Sequence, residues 1–326
     1  MVNQRAFEVR SVPPPPPPTP KPIVPSRSKV DQFLTTSYYS KACPLAESIV
    51  QATMKASFRL HPKIAPAMLK LLFSDCFVQG CDASVLISGP NTERTAEANL
   101  NLRGFDVIEV IKSQIESVCP GVVSCADILA LAAREAVVLT KGPYWEVKLG
   151  RRDGNVSLAA NVKSLPSQTD SLTEMLRIFA NYGLNTEDFV ALIGAHTIGT
   201  ASCKSIADRI NSIDGSFIGL NFNPLFLAML QQACPIGGDG SRRVALDMGS
   251  ELVFDTSIFK NILNGSAVLN TDPSLLNIPT IYRMLQEFLT FKRFNTIFMR
   301  AMSRMSEIEV KTGLNGEIRR NCSRVN

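Results

Sequence analysis

Eight cysteines constrain this 326-residue chain more than any other feature: Cys43, Cys76, Cys81, Cys119, Cys125, Cys203, Cys234 and Cys322. The number is even, the positions span the chain, and no CxxC pair occurs. A zinc ribbon or a thioredoxin-like site needs such pairs, so both readings are weak, and four disulfides formed in an oxidising compartment are the better one. Counting leaves about 105 possible pairings. One is locally plausible, because Cys76 and Cys81 could close a tight loop.

Residues 1–30 read as a proline-rich disordered leader: the run of prolines favours extended, unpacked chain. The leader has no apolar h-region, so no secretory signal peptide is visible in it. Residues 31–326 form the candidate globular domain. With 45% apolar residues that domain can bury a large core. No later run of about 18 uncharged apolar residues exists, so no membrane span is expected. The net charge of +5 is scattered along the chain rather than clustered, which argues against nucleic-acid binding. Three N-x-S triplets, at Asn155, Asn264 and Asn321, are compatible with export.

The dominant period is helical. Leu45, Ile49, Ala52 and Ala56 make one stripe, and Ile108, Ile111, Ile115 and Val118 another. Ser124 with Asp127, and Ser171 with Glu174, resemble helix-start boxes, and Gly183 is placed to end the second of these helices. A helical pattern runs from about Ile281 to Ser306, and strand signals are few and short. The expected class is mainly α.

Only two histidines occur. His61 precedes Pro62 and reads as a surface residue at a helix start. His196 shares a helical face with Phe189, Leu192 and Ile193, so it is expected to point inward. It is either a hydrogen-bonded core histidine or an axial metal ligand whose second ring nitrogen meets a carboxylate. In KLLFSDCFVQGCDASVLI, two aspartates and two cysteines fall within eight residues of an apolar run.

Six ordered segments carry a family resemblance: FSDCFVQGCDASVLI, ERTAEANLNLRGFDVIE, SCADILALAAREAV, GPYWEVKLGRRDG, LIGAHTIG and TGLNGEIRRNC. Together they resemble the plant secretory (class III) haem peroxidases from about Gln32 to Cys322. The resemblance implies a mainly α, two-lobe fold with one haem b between the lobes, two calcium ions and four disulfides. The pairs would be Cys43–Cys119, Cys76–Cys81, Cys125–Cys322 and Cys203–Cys234. It also implies a secreted, cell-wall or vacuolar monomer that consumes H2O2 with phenolic donors.

Carried over by position, His196 resembles the haem iron ligand and Asp272 the carboxylate bound to it. Asp75, Asp82 and Ser84, with the carbonyls of Asp75, Val78 and Gly80, resemble a first calcium site. Thr197, Asp247, Ser250 and Asp255 resemble a second, with Ser250 where the family usually has Thr. Pro166 resembles part of the rim where aromatic donors approach.

The departures are concentrated in one place. The family reads R-L-H-F-H-D-C where this chain reads Lys70-Leu71-Leu72-Phe73-Ser74-Asp75-Cys76. Phe73 is kept, but the distal base is Ser74 and the distal cation is Lys70. Asn99 and Glu93, which would orient a distal histidine, have none to orient. Pro66, expected inside a helix starting near Pro62, would cost roughly 3 kcal/mol or shorten that helix. The expected function is therefore a slow haem peroxidase, or a non-catalytic haem- and calcium-binding relative.

Overall fold

The computed structural model describes residues 33–167, 169–207, 210 and 223–326. The proline-rich leader expected at residues 1–30 lies outside them. Within this range the chain is helical, with a single two-stranded sheet: β1 (Thr200–Ser202) pairs antiparallel with β2 (Arg243–Ala245), Ala201 opposite Val244.

The first group of helices comprises α1 (Ala46–Leu60), α2 (Ile64–Cys76), α3 (Phe105–Val118) and α4 (Cys125–Leu139), and the other three pack on α4. Almost every side chain of α4 is buried. Its run of alanines explains how: small side chains let neighbouring helices approach from several directions, while Ile128, Leu129 and Leu131 fill the gaps between them. Helix α5 (Leu172–Asn181) follows and ends at Gly183, whose φ of 74° only glycine adopts freely.

The second group is built around α6 (Thr186–Ile193), which packs against α10 (Pro279–Phe288) and α11 (Phe291–Met305). Between them in the chain lie α7 (Pro224–Ala233), α8 (Ser257–Leu263) and the single turn α9 (Thr271–Ser274). Five fully buried rings, Phe254, Phe259, Phe288, Phe294 and Phe298, interlock at centroid distances of 4.7–6.0 Å, which makes this group's core aromatic.

Four disulfides cross this frame: Cys43–Cys119, Cys76–Cys81, Cys125–Cys322 and Cys203–Cys234. They include the tight loop foreseen between Cys76 and Cys81, and they reproduce the pairing that the resemblance implied. At the start of α4, the fully buried carboxylate of Asp127 accepts from Arg151 Nη1 at 2.8 Å, from Tyr39 Oη at 2.7 Å and from the Gly150 amide at 2.7 Å. Arg151 also donates to the Ser306 carbonyl, tying the end of α11 to this network.

Four local expectations change. Pro66 is the third residue of α2, where the amide has no intrahelical partner anyway, so it removes no hydrogen bond. His61 ends α1 rather than starting the next helix, and it is exposed. The pattern from Ile281 to Ser306 is two helices, broken at Leu289–Thr290. A reciprocal capping box sits at Asn185–Asp188, not at Ser124 or Ser171, whose hydroxyls cap in one direction only.

Phe294→Ala removes a fully buried ring from the middle of the aromatic cluster. Denaturant unfolding with the disulfides intact is expected to show a loss of about 3–5 kcal/mol. Asp127→Asn leaves Arg151 buried without its counter-charge, and the same measurement is expected to show a loss of about 3–5 kcal/mol.

Candidate functional site

His196 follows α6 in a 3-10 turn, Gly194–Thr197. A methyl group on Gly194 would come within 2.4 Å of the Phe294 ring, so only glycine lets this turn lie on the aromatic core. The His196 side chain is 27% exposed. Its Nδ1 lies 3.1 Å from Oδ1 of Asp272, which is buried in α9. With Nδ1 committed to a carboxylate, Nε2 is the nitrogen left with a lone pair.

Helix α2 is fixed relative to this turn at two places. Near its start Pro66 lies against Gly199, where a methyl would approach Pro66 Cβ to 2.9 Å. Near its end an aromatic chain runs Phe73–Phe77–Phe179–Phe189, with centroid steps of 4.6, 4.8 and 4.8 Å, and so joins α2 through α5 to α6.

On α2, Phe73 is partly exposed and Lys70 Nζ sits 5.3 Å from its ring centroid. Lys70 has surface open to water, yet the surrounding protein removes enough solvent at longer range to lower its pKa. Ser74 is fully buried and its Oγ has no hydrogen-bond partner. Asn99, in the 3-10 turn Glu97–Asn99, donates from Nδ2 to the Glu93 carbonyl at 3.0 Å, while its buried Oδ1 is also unpartnered. Ser74 Oγ and Asn99 Oδ1 are thus both buried without a protein partner.

The loop after α2 is shaped by Asp75. Its Oδ2 accepts from the Ala83 amide at 2.9 Å and its Oδ1 from the Val85 amide at 3.4 Å. Asp82 Oδ1 accepts from the Ser84 amide at 3.0 Å, and its Oδ2 from Lys311 Nζ. Gly80, at φ 93°, packs so closely on the Glu309 carbonyl that a methyl would approach it to 2.5 Å. Val78 is buried in the same loop.

Burial, and then the negative charge of Asp82, pushes Asp75 well above the usual carboxylate range. Burial likewise pushes Glu93 up to about 8, with Ser84 close enough to pull it partway down. No oxygen pair between Ser84 and Glu93 reaches hydrogen-bond geometry, and Ser84 Oγ and both Glu93 carboxylate oxygens are buried without partners. Orphaned hard oxygens beside two buried carboxylates fit a calcium ion.

The second acidic site surrounds Thr197, immediately after His196. Thr197 Oγ1 donates to Asp247 Oδ2 at 2.9 Å and lies 3.3 Å from Asp255 Oδ1. Ser250 Oγ donates to Asp255 Oδ2 at 2.5 Å. Two residues not anticipated from sequence complete it: Ser257 Oγ lies within hydrogen-bond reach of both aspartates and can donate to either, and Asn261 Nδ2 donates to Asp247 Oδ1 at 2.6 Å. Their signal was spacing, since Ser257 stands two residues after Asp255 and Asn261 one helical turn beyond. Burial raises the pKa of Asp247. Burial also acts on Asp255, but hydrogen bonds from Ser250 and Ser257 outweigh it and hold that carboxyl below its usual value.

Among the described residues, no three His, Cys, Asp or Glu side chains converge as a metal cluster. Each candidate site instead combines two aspartates with hydroxyls, a donor set for a hard cation rather than a transition metal. Pro166 lies partly buried after the turn Ala159–Ser164, away from these hydrogen-bond networks.

Among the described residues no helix is long and apolar enough to cross a membrane. The peroxidase family description matches residues 50–290. Peroxidase 62 of Arabidopsis thaliana is 53% identical over 291 residues, covering 89% of this chain and 91% of that protein. Peroxidase N1 of Nicotiana tabacum is 52% identical over 297 residues, with 89% of each chain covered. Peroxidase 25 of Arabidopsis thaliana is 47% identical over 303 residues, covering 90% of this chain and 92% of its own. With the helical fold and the four disulfides, these matches establish that the chain belongs to the plant class III peroxidases, a family for which haem, calcium and secretion are expected.

Proposed function

We propose that this protein is an exported haem peroxidase, with domain 31–326 behind the leader 1–30, that reduces H2O2 slowly with phenolic donors. The reading rests on one observation: an imidazole anchored by Asp272 sits in a turn tied through Gly199 and Pro66 to the helix whose buried Ser74 Oγ has no partner.

Haem b, when bound, supplies the redox-active iron at which H2O2 is reduced. His196 Nε2 would hold it, and Asp272, by accepting the Nδ1 proton, would make the imidazole a stronger donor. Phe73 would pack against the bound group, and Pro166 would line the donor entrance. Asp75, Val78, Gly80, Asp82 and Ser84 would hold one calcium ion, and Thr197, Asp247, Ser250 and Asp255 the other.

The proton is the difficulty. Reduction of H2O2 moves a proton from one peroxide oxygen to the other, and a base with a pKa near the working pH does this best, contributing about 10²–10⁴-fold. The Ser74 hydroxyl cannot accept that proton at neutral pH. Lys70 offers a point charge rather than a guanidinium fork, and its contact with the Phe73 ring uses it as a cation. The same observations favour a second reading in which the protein binds haem and calcium without useful turnover.

Two outcomes are expected. His196→Ala should lose the haem absorbance band of the refolded, reconstituted protein, whereas Asp272→Asn should keep a weakened and shifted one; an unchanged spectrum in His196→Ala would contradict the ligand assignment. In stopped-flow mixing with H2O2, the unaltered protein should change its spectrum at least about 10²-fold more slowly than the double variant Ser74→His, Lys70→Arg. Equal rates would contradict the role given to the missing base. If the variant oxidises phenols and the unaltered protein does not do so at any usable rate, the second reading holds.

A further inference from the structure

One contact in the first calcium loop has no role in the function proposed above. Lys311 Nζ lies on Asp82 Oδ2. Its side chain is 31% exposed, but its backbone is anchored. The backbone of Lys311 is held by an isolated bridge to Arg152, whose amide donates to the Lys311 carbonyl at 2.8 Å. The stem passes Gly316 so closely that a methyl there would lie 3.3 Å from Lys311 Cδ. Asp82 is equally confined: it is 2% exposed, its backbone carbonyl accepts from the Gly154 amide at 2.7 Å, and a methyl on Gly154 would strike its carboxylate. Its other oxygen already accepts from the Ser84 amide.

A hard cation entering this loop would need an Asp82 oxygen, and it would meet the Lys311 ammonium there. Charges of the same sign a few ångströms apart, partly shielded from water, repel strongly. The ammonium also supplies part of what calcium would, a counter-charge for the buried Asp82 carboxylate, alongside the buried Arg319 guanidinium on the Asp82 and Ala83 carbonyls. Asp75 meanwhile binds the Ala83 and Val85 amides, so the loop has its shape from internal donors alone.

We infer that Lys311 acts as a tethered counter-ion in the first calcium loop, competing with the divalent cation for Asp82 so that the loop holds calcium weakly and depends on it little. The inference rests on the assignment of this loop as a calcium site.

The test uses the refolded, haem-reconstituted full chain carrying Asp255→Asn to disable the second site, with and without Lys311→Met. Both proteins are stripped with a chelator and titrated with calcium chloride, reading bound metal by equilibrium dialysis and the midpoint of thermal unfolding. Lys311→Met should bind calcium at least about tenfold more tightly, since affinity in such loops follows net ligand charge. It should also lose more of its thermal midpoint on stripping than the protein that keeps Lys311. Lys311→Gln provides a second neutral variant if the methionine misfolds. Equal affinities, with one ion bound in each protein, would overturn the inference and leave the calcium site standing. Binding in neither protein would overturn both. Failure of both variants to fold even in excess calcium would also overturn it, because calcium would then be unable to replace the ammonium.

Discussion

The carboxylate of Asp75 joins the last turn of α2 to the loop that follows, through the amides of Ala83 and Val85. Ser74 is its neighbour in sequence, and Cys76, next along, is bonded to Cys81. The position of the Ser74 wall and the shape of the acidic loop are therefore one structural fact rather than two. Glu93 extends the connection: it lies beside Ser84 at the loop, and its backbone carbonyl holds the amide of Asn99. A change in charge at the loop therefore acts on the same elements that present Ser74 and Asn99.

The other side of the molecule is built differently. There the turn carrying His196 lies on an aromatic core, and the second acidic site begins one residue later at Thr197. Its two aspartates share hydroxyl and amide donors and have no lysine against them among the contacts of the described residues. The two acidic sites thus differ in kind. One is neutralised in part by a cation belonging to the chain, and the other is arranged by neutral donors. That contrast is unexpected for a protein whose family takes up calcium.

Much of this was legible in the chain itself. The helical class followed from periodicity, and the tight Cys76–Cys81 loop from spacing alone. The other disulfide partners could not be deduced by counting, and only the resemblance named them. The misreadings have physical causes. Pro66 looked like a helix breaker because the helix was begun at Pro62, whereas the turn at residues 61–63 moves the start to Ile64, where a proline is harmless. The pattern from Ile281 to Ser306 hid a break, because apolar spacing continues across Leu289–Thr290. Lys311 gave no signal at all. It lies 229 residues from Asp82, and nothing local marks one lysine among many as the one that reaches a buried carboxylate.

The central claim of the proposal is that Ser74, standing where a distal base is expected, cannot take the proton of peroxide near neutral pH, and that no other group replaces it in that role. The most direct measurement is the second-order rate constant for reaction of the haem-reconstituted protein with H2O2 as a function of pH. Without such a base, only peroxide that arrives already deprotonated reacts readily, so the rate should climb steadily with pH through the neutral range with no plateau. A profile that rises through one inflection and is level by about pH 7 would reveal a working base in the site and contradict this account.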